Sequence, residues 1–286
     1  MPLITSSFED SKYAAYGLPN GTFSNLTLEL CSPRGSLSPQ YSEKFPLVLF
    51  SGALGTSRYL YSAIAATVST IGYTVVTVDH PYDTDIVEFP SGDIVLGLNL
   101  SDAQIPLAVE TRVQDLRFVL DQLQSLHSCR AGAFAHSLGG AAVIGILDID
   151  PRIVGGINLD GSVFDPADQT DTNKPVVLFG HDGKNQSTDS TWAELWPHLK
   201  GWKKELELLG SAHYTFSDFP LIADKLGGVS MLPEVVKSLI GDLEGQRVMD
   251  ILGSYVGSFL DMVLKGGSGS LFNGNSTKYP EVVVIE

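Results

Sequence analysis

Basic residues are scarce in this chain: 18 Lys and Arg stand against 33 Asp and Glu, a formal net charge of -15. So acidic a surface repels phosphate backbones and anionic membranes, which excludes nucleic acid as an expected partner. Charge of either sign is also thin, at 18% of residues, which leaves ample apolar material for a core. Long hydrophobic runs are missing, and none approaches the roughly 18–20 residues that span a bilayer. Cysteine is reduced to Cys31 and Cys129. Two thiols permit at most one bridge, and spacing alone does not establish it. No Cys or His pairs stand at ligand spacing, so neither a metal nor another cofactor is expected.

The stretch from Pro2 to Tyr16 lacks the apolar centre of a signal peptide. Taken alone that favours the cytoplasm. Five of the eight Asn nevertheless stand in Asn-x-Ser/Thr acceptors, at Asn20, Asn25, Asn99, Asn185 and Asn275. The excess points to a secreted glycoprotein whose leader is replaced by Met1, with a cytoplasmic protein as the alternative.

A length of 286 residues fits one large domain. Short β-branched runs alternate with helical patterns, the signature of a mostly parallel sheet wrapped by helices. Strands are expected near 25–31, 46–51, 73–79, 130–135, 153–159, 175–180 and 205–209, and helices near 57–71, 104–127, 138–148, 189–200 and 231–264. The nearly continuous apolar character of 46–50, 73–79 and 175–180 suits strands covered on both faces. Residues 85–98 read as a β-hairpin around Pro90-Ser91-Gly92. The expected organisation is one α/β domain over 1–264, with a Gly/Ser linker and C-terminal tail over 265–286.

Residues 131–140 read Ala-Gly-Ala-Phe-Ala-His-Ser-Leu-Gly-Gly. Here a strand ends, a sharp turn follows and an apolar helix begins at once. This is the nucleophile elbow G-x-S-x-G of the α/β-hydrolase fold, with Ala135 in the first glycine's place. The turn requires small neighbours, which Ala supplies. It makes Ser137 the candidate nucleophile and aims the Leu138 N–H at a developing oxyanion.

A serine hydroxyl needs a base, and among six His the late His213 follows the last expected strand, where the Ser…Asp/Glu…His order puts it. Two carboxylates could orient its ring: Asp160, after the next strand beyond the nucleophile, and Asp182, after the following one. Spacing does not separate them.

The segments FSGALGTSRYLYSAIA (50–65), AHSLGGAAVIG (135–145), GGINLDGSVFDP (155–166) and LGSAHYTFSDF (209–219) together resemble the plasma-type (type II) platelet-activating-factor acetylhydrolase family, fungal members above all, over roughly residues 40–220. The resemblance implies Asp160 as the acid, His213 as the base and Ser137 as the nucleophile. It implies the Leu54 N–H as a second oxyanion donor, from the turn Gly52-Ala53-Leu54-Gly55, which departs from the family's His-Gly-Leu-Gly form. It also implies a small or phospholipid-type ester as substrate.

Aromatic residues near these positions, Phe164, Trp192, Trp196 and Tyr214, are candidates for an apolar substrate pocket, although Trp on a helix face more often serves a core. The leading expectation is a serine carboxylic-ester hydrolase working through an acyl-enzyme. An acyltransferase or cyclase would use the same intermediate, and a non-catalytic binding protein would keep only the scaffold.

Overall fold

The computed structural model describes residues 1–28, 45–123, 130–165 and 167–286. Cys31, Cys129 and their pairing, and part of the strand expected at 25–31, lie outside the described residues. Residues 25–28 are not in a strand.

The elements, in order, are α1 (Leu3–Ala14), β1 (Leu47–Ser51), α2 (Ser62–Thr70), β2 (Thr74–Val78), β3 (Ile86–Glu88), β4 (Ile94–Leu96), α3 (Ile105–Leu123), β5 (Ala131–His136), α4 (Leu138–Ile149), β6 (Ile153–Leu159), β7 (Val176–His181), α5 (Ser190–Leu195), β8 (Lys203–Leu208), α6 (Phe219–Lys225), α7 (Glu234–Ile240), α8 (Gly245–Leu260) and β9 (Val282–Val284). Seven strands form one sheet in the order β2-β1-β5-β6-β7-β8-β9, and β3 and β4 make the expected hairpin apart from it. All neighbours in the large sheet are parallel except β9, which runs antiparallel to β8. With helices on both faces, this is the expected α/β-hydrolase architecture. No helix among the described residues is long and apolar enough to cross a membrane.

The period-two geometry of a strand divides each apolar run between two cores. Val48 and Phe50 join Phe134, Ile157 and Phe179 on the face covered by α2 and α8. Leu47 and Leu49 join Ala131, Ala133, Ala135 and Leu178 on the face covered by α3 and α4. The three alanines are small for a reason: they let α4 lie close against β5.

After β1 the chain winds outward to β2, then crosses back to β5 on the other side of β1. Such a reversal opens a crevice at the carboxyl ends of the two central strands, where open α/β sheets bind ligands. The turn Gly52–Gly55 and Ser137 both emerge there.

Two further expectations need correction, and one helix lies outside them. The helix expected over 231–264 is two helices, α7 and α8, because Gly241 ends α7 at φ 71°. The stretch 265–286 does not behave as a linker and tail. Phe272, Tyr279 and Val282 are buried in the α8-side core, and β9 adds a strand to the sheet. Finally, α1 was not anticipated. It turns Thr5, Ser6, Glu9 and Asp10 inward, packs Tyr13 against Phe23 and Phe219, and leaves Leu3 and Ile4 exposed, so its apolar residues do not make one continuous inward stripe.

Candidate active site

Ser137 sits between β5 and α4 with φ 57° and ψ -124°, a conformation costing a non-glycine residue about 1–3 kcal/mol. Close packing holds it there. A Cβ on Gly139 would meet the Ser51 carbonyl oxygen at 2.2 Å, and one on Gly140 would meet Asn158 Oδ1 at 2.0 Å. The two glycines after the serine therefore let the start of α4 press onto β1 and β6. The Ser137 N–H donates to the Leu159 carbonyl at 2.9 Å, which fixes the turn from the other side.

His213 opens a 3-10 turn after β8. Its Nε2 lies 2.9 Å from Ser137 Oγ, and its Nδ1 is hydrogen-bonded to Asp160 Oδ2. Asp160 ends β6 with φ 63°. Its turn is clamped by Asn158, whose Oδ1 accepts from the Gly161 N–H and whose Nδ2 donates to the Gly161 carbonyl, each at 2.7 Å. The structure thus brings Ser137, His213 and Asp160 together. Asp182 is elsewhere: its Oδ2 accepts the Gly210 N–H at 2.8 Å and steadies the loop that leads to His213.

Asp160 has a second imidazole that sequence reasoning missed. Oδ1 accepts from the His181 N–H at 2.9 Å and lies 2.7 Å from His181 Nδ1. Burial alone would raise this carboxyl's pKa. The hydrogen bonds from His181 and His213, helped by the Lys184 ammonium, overcome that and hold it well below the usual carboxylate range. The group is therefore an anion at neutral pH, suited to stabilising an imidazolium.

His136, wholly buried beneath the nucleophile, is another missed residue. Its Nε2 lies 2.8 Å from the His213 carbonyl oxygen, which can only accept, so Nε2 carries the proton. Nδ1 then accepts from the Tyr61 hydroxyl at 2.9 Å, and that hydroxyl accepts the Ala53 N–H at 2.9 Å. Burial, with His213 nearby, pushes the His136 pKa well down, so the ring stays neutral. Neither Tyr61 nor His136 carries a sequence signal beyond its closeness to a motif.

In the turn after β1, the Gly55 N–H donates to the Asp83 carbonyl at 3.1 Å and the Ala53 N–H to Tyr61. The Leu54 N–H between them has no acceptor among the described residues. Leu138, as the first residue of α4, likewise has an N–H with no intrahelical partner.

Among the expected pocket residues, Tyr214 stands edge-on to the His213 ring at 5.3 Å between centroids. Trp192 is not a pocket wall. It is wholly buried in the α4-side core, and its indole N–H donates to the Gly161 carbonyl at 2.7 Å. Trp196 is buried in the same core, and Phe164 packs on its margin. The aromatic cluster around α5 is structural because β7 and α5 enclose it on the covered face of the sheet.

His136, Asp160 and His213 offer ligand atoms within 4.8 Å of one another. Every one of these atoms is already hydrogen-bonded, so a metal ion would have to break the serine–imidazole–carboxylate chain to bind.

The sequence matches the family of platelet-activating factor acetylhydrolase, isoform II, over residues 10–89 and 99–265. It is 39% identical over 256 residues to the probable 1-alkyl-2-acetylglycerophosphocholine esterase of Arthroderma benhamiae, covering 84% of this chain and 66% of that protein. It is 27% identical over 260 residues to the platelet-activating factor acetylhydrolase of Cavia porcellus, covering 78% of this chain and 58% of that one. The matched region spans about half to two thirds of the length of the curated relatives. Among solved structures, the ferulic acid esterase from Streptomyces cinnamoneus superposes with a TM-score of 0.82 at 30% identity, covering 98% of this chain and 84% of that one.

Proposed function

The chain belongs to the platelet-activating factor acetylhydrolase, isoform II family, and from that premise we propose that it is a serine carboxylic-ester hydrolase acting on small or phospholipid-type esters with short acyl groups. The observation that carries this reading is the single imidazole of His213, which contacts Ser137 Oγ with one nitrogen and Asp160 with the other.

In this reading Ser137 Oγ attacks the acyl carbonyl while His213 Nε2 takes the hydroxyl proton. Asp160 steadies the resulting imidazolium without accepting its proton. The N–H groups of Leu54 and Leu138 receive the oxyanion of the tetrahedral intermediate. Collapse expels the alcohol, which takes the proton from His213, and leaves an acyl-Ser137. Water, activated by the same imidazole, then releases the acid. Tyr214 lies where it would border the bound ester.

The test is a panel of p-nitrophenyl esters of rising acyl length, run beside labelling with a fluorophosphonate. We expect turnover that declines with acyl length, labelling at Ser137, and neither in Ser137→Ala. A folded Ser137→Ala variant with near-normal turnover would refute the mechanism.

The reading extends to location: a secreted glycoprotein. The acceptors Asn20, Asn25, Asn99 and Asn275 are exposed, whereas Asn185 is half-buried and its side chain is tied to Glu207 and Ser187. Expression through a eukaryotic secretory route followed by peptide mapping should find glycans at the first four and little at Asn185. Unmodified asparagines throughout would count against secretion.

A further inference from the structure

Arg112 lies in the middle of α3, wholly buried, and the expected machinery gives it no task. A guanidinium carries five N–H donors in a rigid fork. Here all five are used. Two go to Asp83, with Nε donating to Oδ2 at 2.6 Å and Nη2 to Oδ1. The other three go to the end of β1 and the turn beyond it. Nη1 donates to Ser51 Oγ at 3.0 Å and to the Gly52 carbonyl at 2.5 Å, and Nη2 donates to the Ala53 carbonyl at 3.3 Å.

A buried ion pair needs only the first two. The remaining three have a geometric consequence. In a trans peptide the C=O and the following N–H point in opposite directions. With the Ala53 carbonyl drawn toward Arg112 beneath the turn, the N–H of Leu54 must point the other way. The neighbouring donors are already committed, Ala53 N–H to Tyr61 and Gly55 N–H to Asp83. Lys12 secures the far side by donating to the Gly55 carbonyl at 2.8 Å. The turn also lies against the elbow, since a Cβ on Gly139 would meet the Ser51 and Gly52 carbonyl oxygens at 2.2 and 2.8 Å.

Arg112 is itself braced. Because Ser51 Oγ accepts from the guanidinium, its own hydrogen is free for His80 Nε2 at 2.9 Å, and His80 Nδ1 then donates to Asp115 Oδ2 at 2.8 Å. This Ser-His-Asp chain, buried at Ser51 and His80 and reaching a partly exposed Asp115, resembles a second triad. Its serine hydroxyl is held by the arginine and wholly enclosed, so it acts as a stay and not as a nucleophile.

We propose that Arg112 is the positioning residue of the oxyanion hole: through the Gly52 and Ala53 carbonyls it aims the Leu54 N–H at the substrate. The proposal rests on the ester-hydrolase reading above and assigns one residue's part in it.

The experiment compares wild type, Arg112→Met and Arg112→Lys. It measures kcat and KM on p-nitrophenyl acetate, inhibition by a trifluoromethyl ketone that forms a tetrahedral adduct, and thermal unfolding. Loss of one oxyanion donor costs on the order of 10²–10³-fold in kcat. We expect a loss of that size in Arg112→Met, with KM changed less than about threefold and ketone affinity weakened in parallel with kcat. The lysine, with three donors on one nitrogen, should fall in between. A merely structural arginine would lower the melting temperature while leaving kcat per folded molecule and ketone affinity as in wild type, and that result overturns the proposal. If Arg112→Met fails to fold because Asp83 loses its partner, Arg112→Lys keeps a cation there, and wild-type kcat in that variant overturns the proposal equally. Wild type that neither turns over any ester nor takes a fluorophosphonate overturns the hydrolase reading itself, whereas a fully active Arg112→Met leaves that reading standing.

Discussion

Replacing Asp160 by Asn tests the site where its hydrogen bonding is most constrained. The change removes a charge and keeps the shape, so the two amide atoms must divide the places of Oδ1 and Oδ2. The backbone N–H of His181 faces Oδ1 at 2.9 Å and can only donate. The oxygen of Asn therefore takes that position, and the NH₂ takes the place of Oδ2, against His213 Nδ1. An NH₂ there forces Nδ1 to accept, which moves the ring proton to Nε2, the nitrogen facing Ser137. An imidazole in that tautomer cannot take the serine proton. Wrong-tautomer variants of this chemistry lose about 10⁴-fold in rate, which corresponds to about 5.5 kcal/mol of barrier. The assay is kcat/KM on p-nitrophenyl acetate for Asp160→Asn and Asp182→Asn, with circular dichroism as the folding control. Asn at 182 can still accept the Gly210 N–H through its oxygen, so that variant should stay within about threefold of wild type. A folded Asp160→Asn enzyme slowed less than tenfold, or a larger loss in Asp182→Asn, would refute the reasoning.

Three further predictions concern the scaffold. Glu9 is buried with both carboxylate oxygens unpaired among the described residues, and burial, with Asp85 beside it, pushes its pKa up to about 8. Between its ordinary value of 4.5 and 8 the folded state holds a proton that the unfolded state has released, so stability falls as pH rises across that window. Glu9→Gln should match wild type in unfolding free energy near pH 4.5 and exceed it increasingly toward pH 8, by at most about 3–4 kcal/mol at pH 7; a difference independent of pH would refute this. Gly139→Ala would set a methyl 2.2 Å from the Ser51 carbonyl oxygen, so it should either fail to fold or lose ester turnover by more than about 100-fold; wild-type activity would refute the close packing. Truncation to residues 1–264 removes Phe272, Tyr279 and Val282 from the core, at about 1.5–3 kcal/mol each. That sum rivals the whole stability of a typical domain, so the fragment should not unfold cooperatively in a denaturant titration, and a fragment that does would make the C-terminal stretch dispensable.

Much of the fold was legible because the central strands are covered on both faces. β1, β2 and β7 read as near-continuous apolar runs, whereas β8 shows only the alternation Glu205-Leu206-Glu207-Leu208, and the elbow stands out because it needs Ala135 and Gly139 at fixed offsets from Ser137. What stayed hidden was hidden for physical reasons. Periodicity searches for apolar faces, whereas α1 is held by charged and polar side chains: Asp10 accepts the Phe23 N–H at 2.7 Å, and Lys12 pairs with Asp85 at 2.6 Å. β9 is three valines after a glycine-rich stretch, too short for its alternation to show. In the site, Ser137, Asp160 and His213 follow from chain order and family resemblance. Tyr61, Arg112, His136 and His181 act through distant contacts and belong to no local pattern. Trp192 and Trp196 serve the core, the commoner role of a helix-face tryptophan, and not the pocket that their closeness to the base loop also allowed.

The buried contact running from Ala53 through Tyr61 and His136 to the His213 carbonyl has a mechanical consequence. It works as a spacer rod, so the gap between oxyanion donor and general base is gauged by one phenol and one imidazole and not by the sheet's twist or by loop length. Thermal breathing that shifts either end should carry the other with it. Shortening the rod, as Tyr61→Phe would by cutting its hydroxyl, ought to let the two ends drift independently and blur the alignment of both half-reactions together.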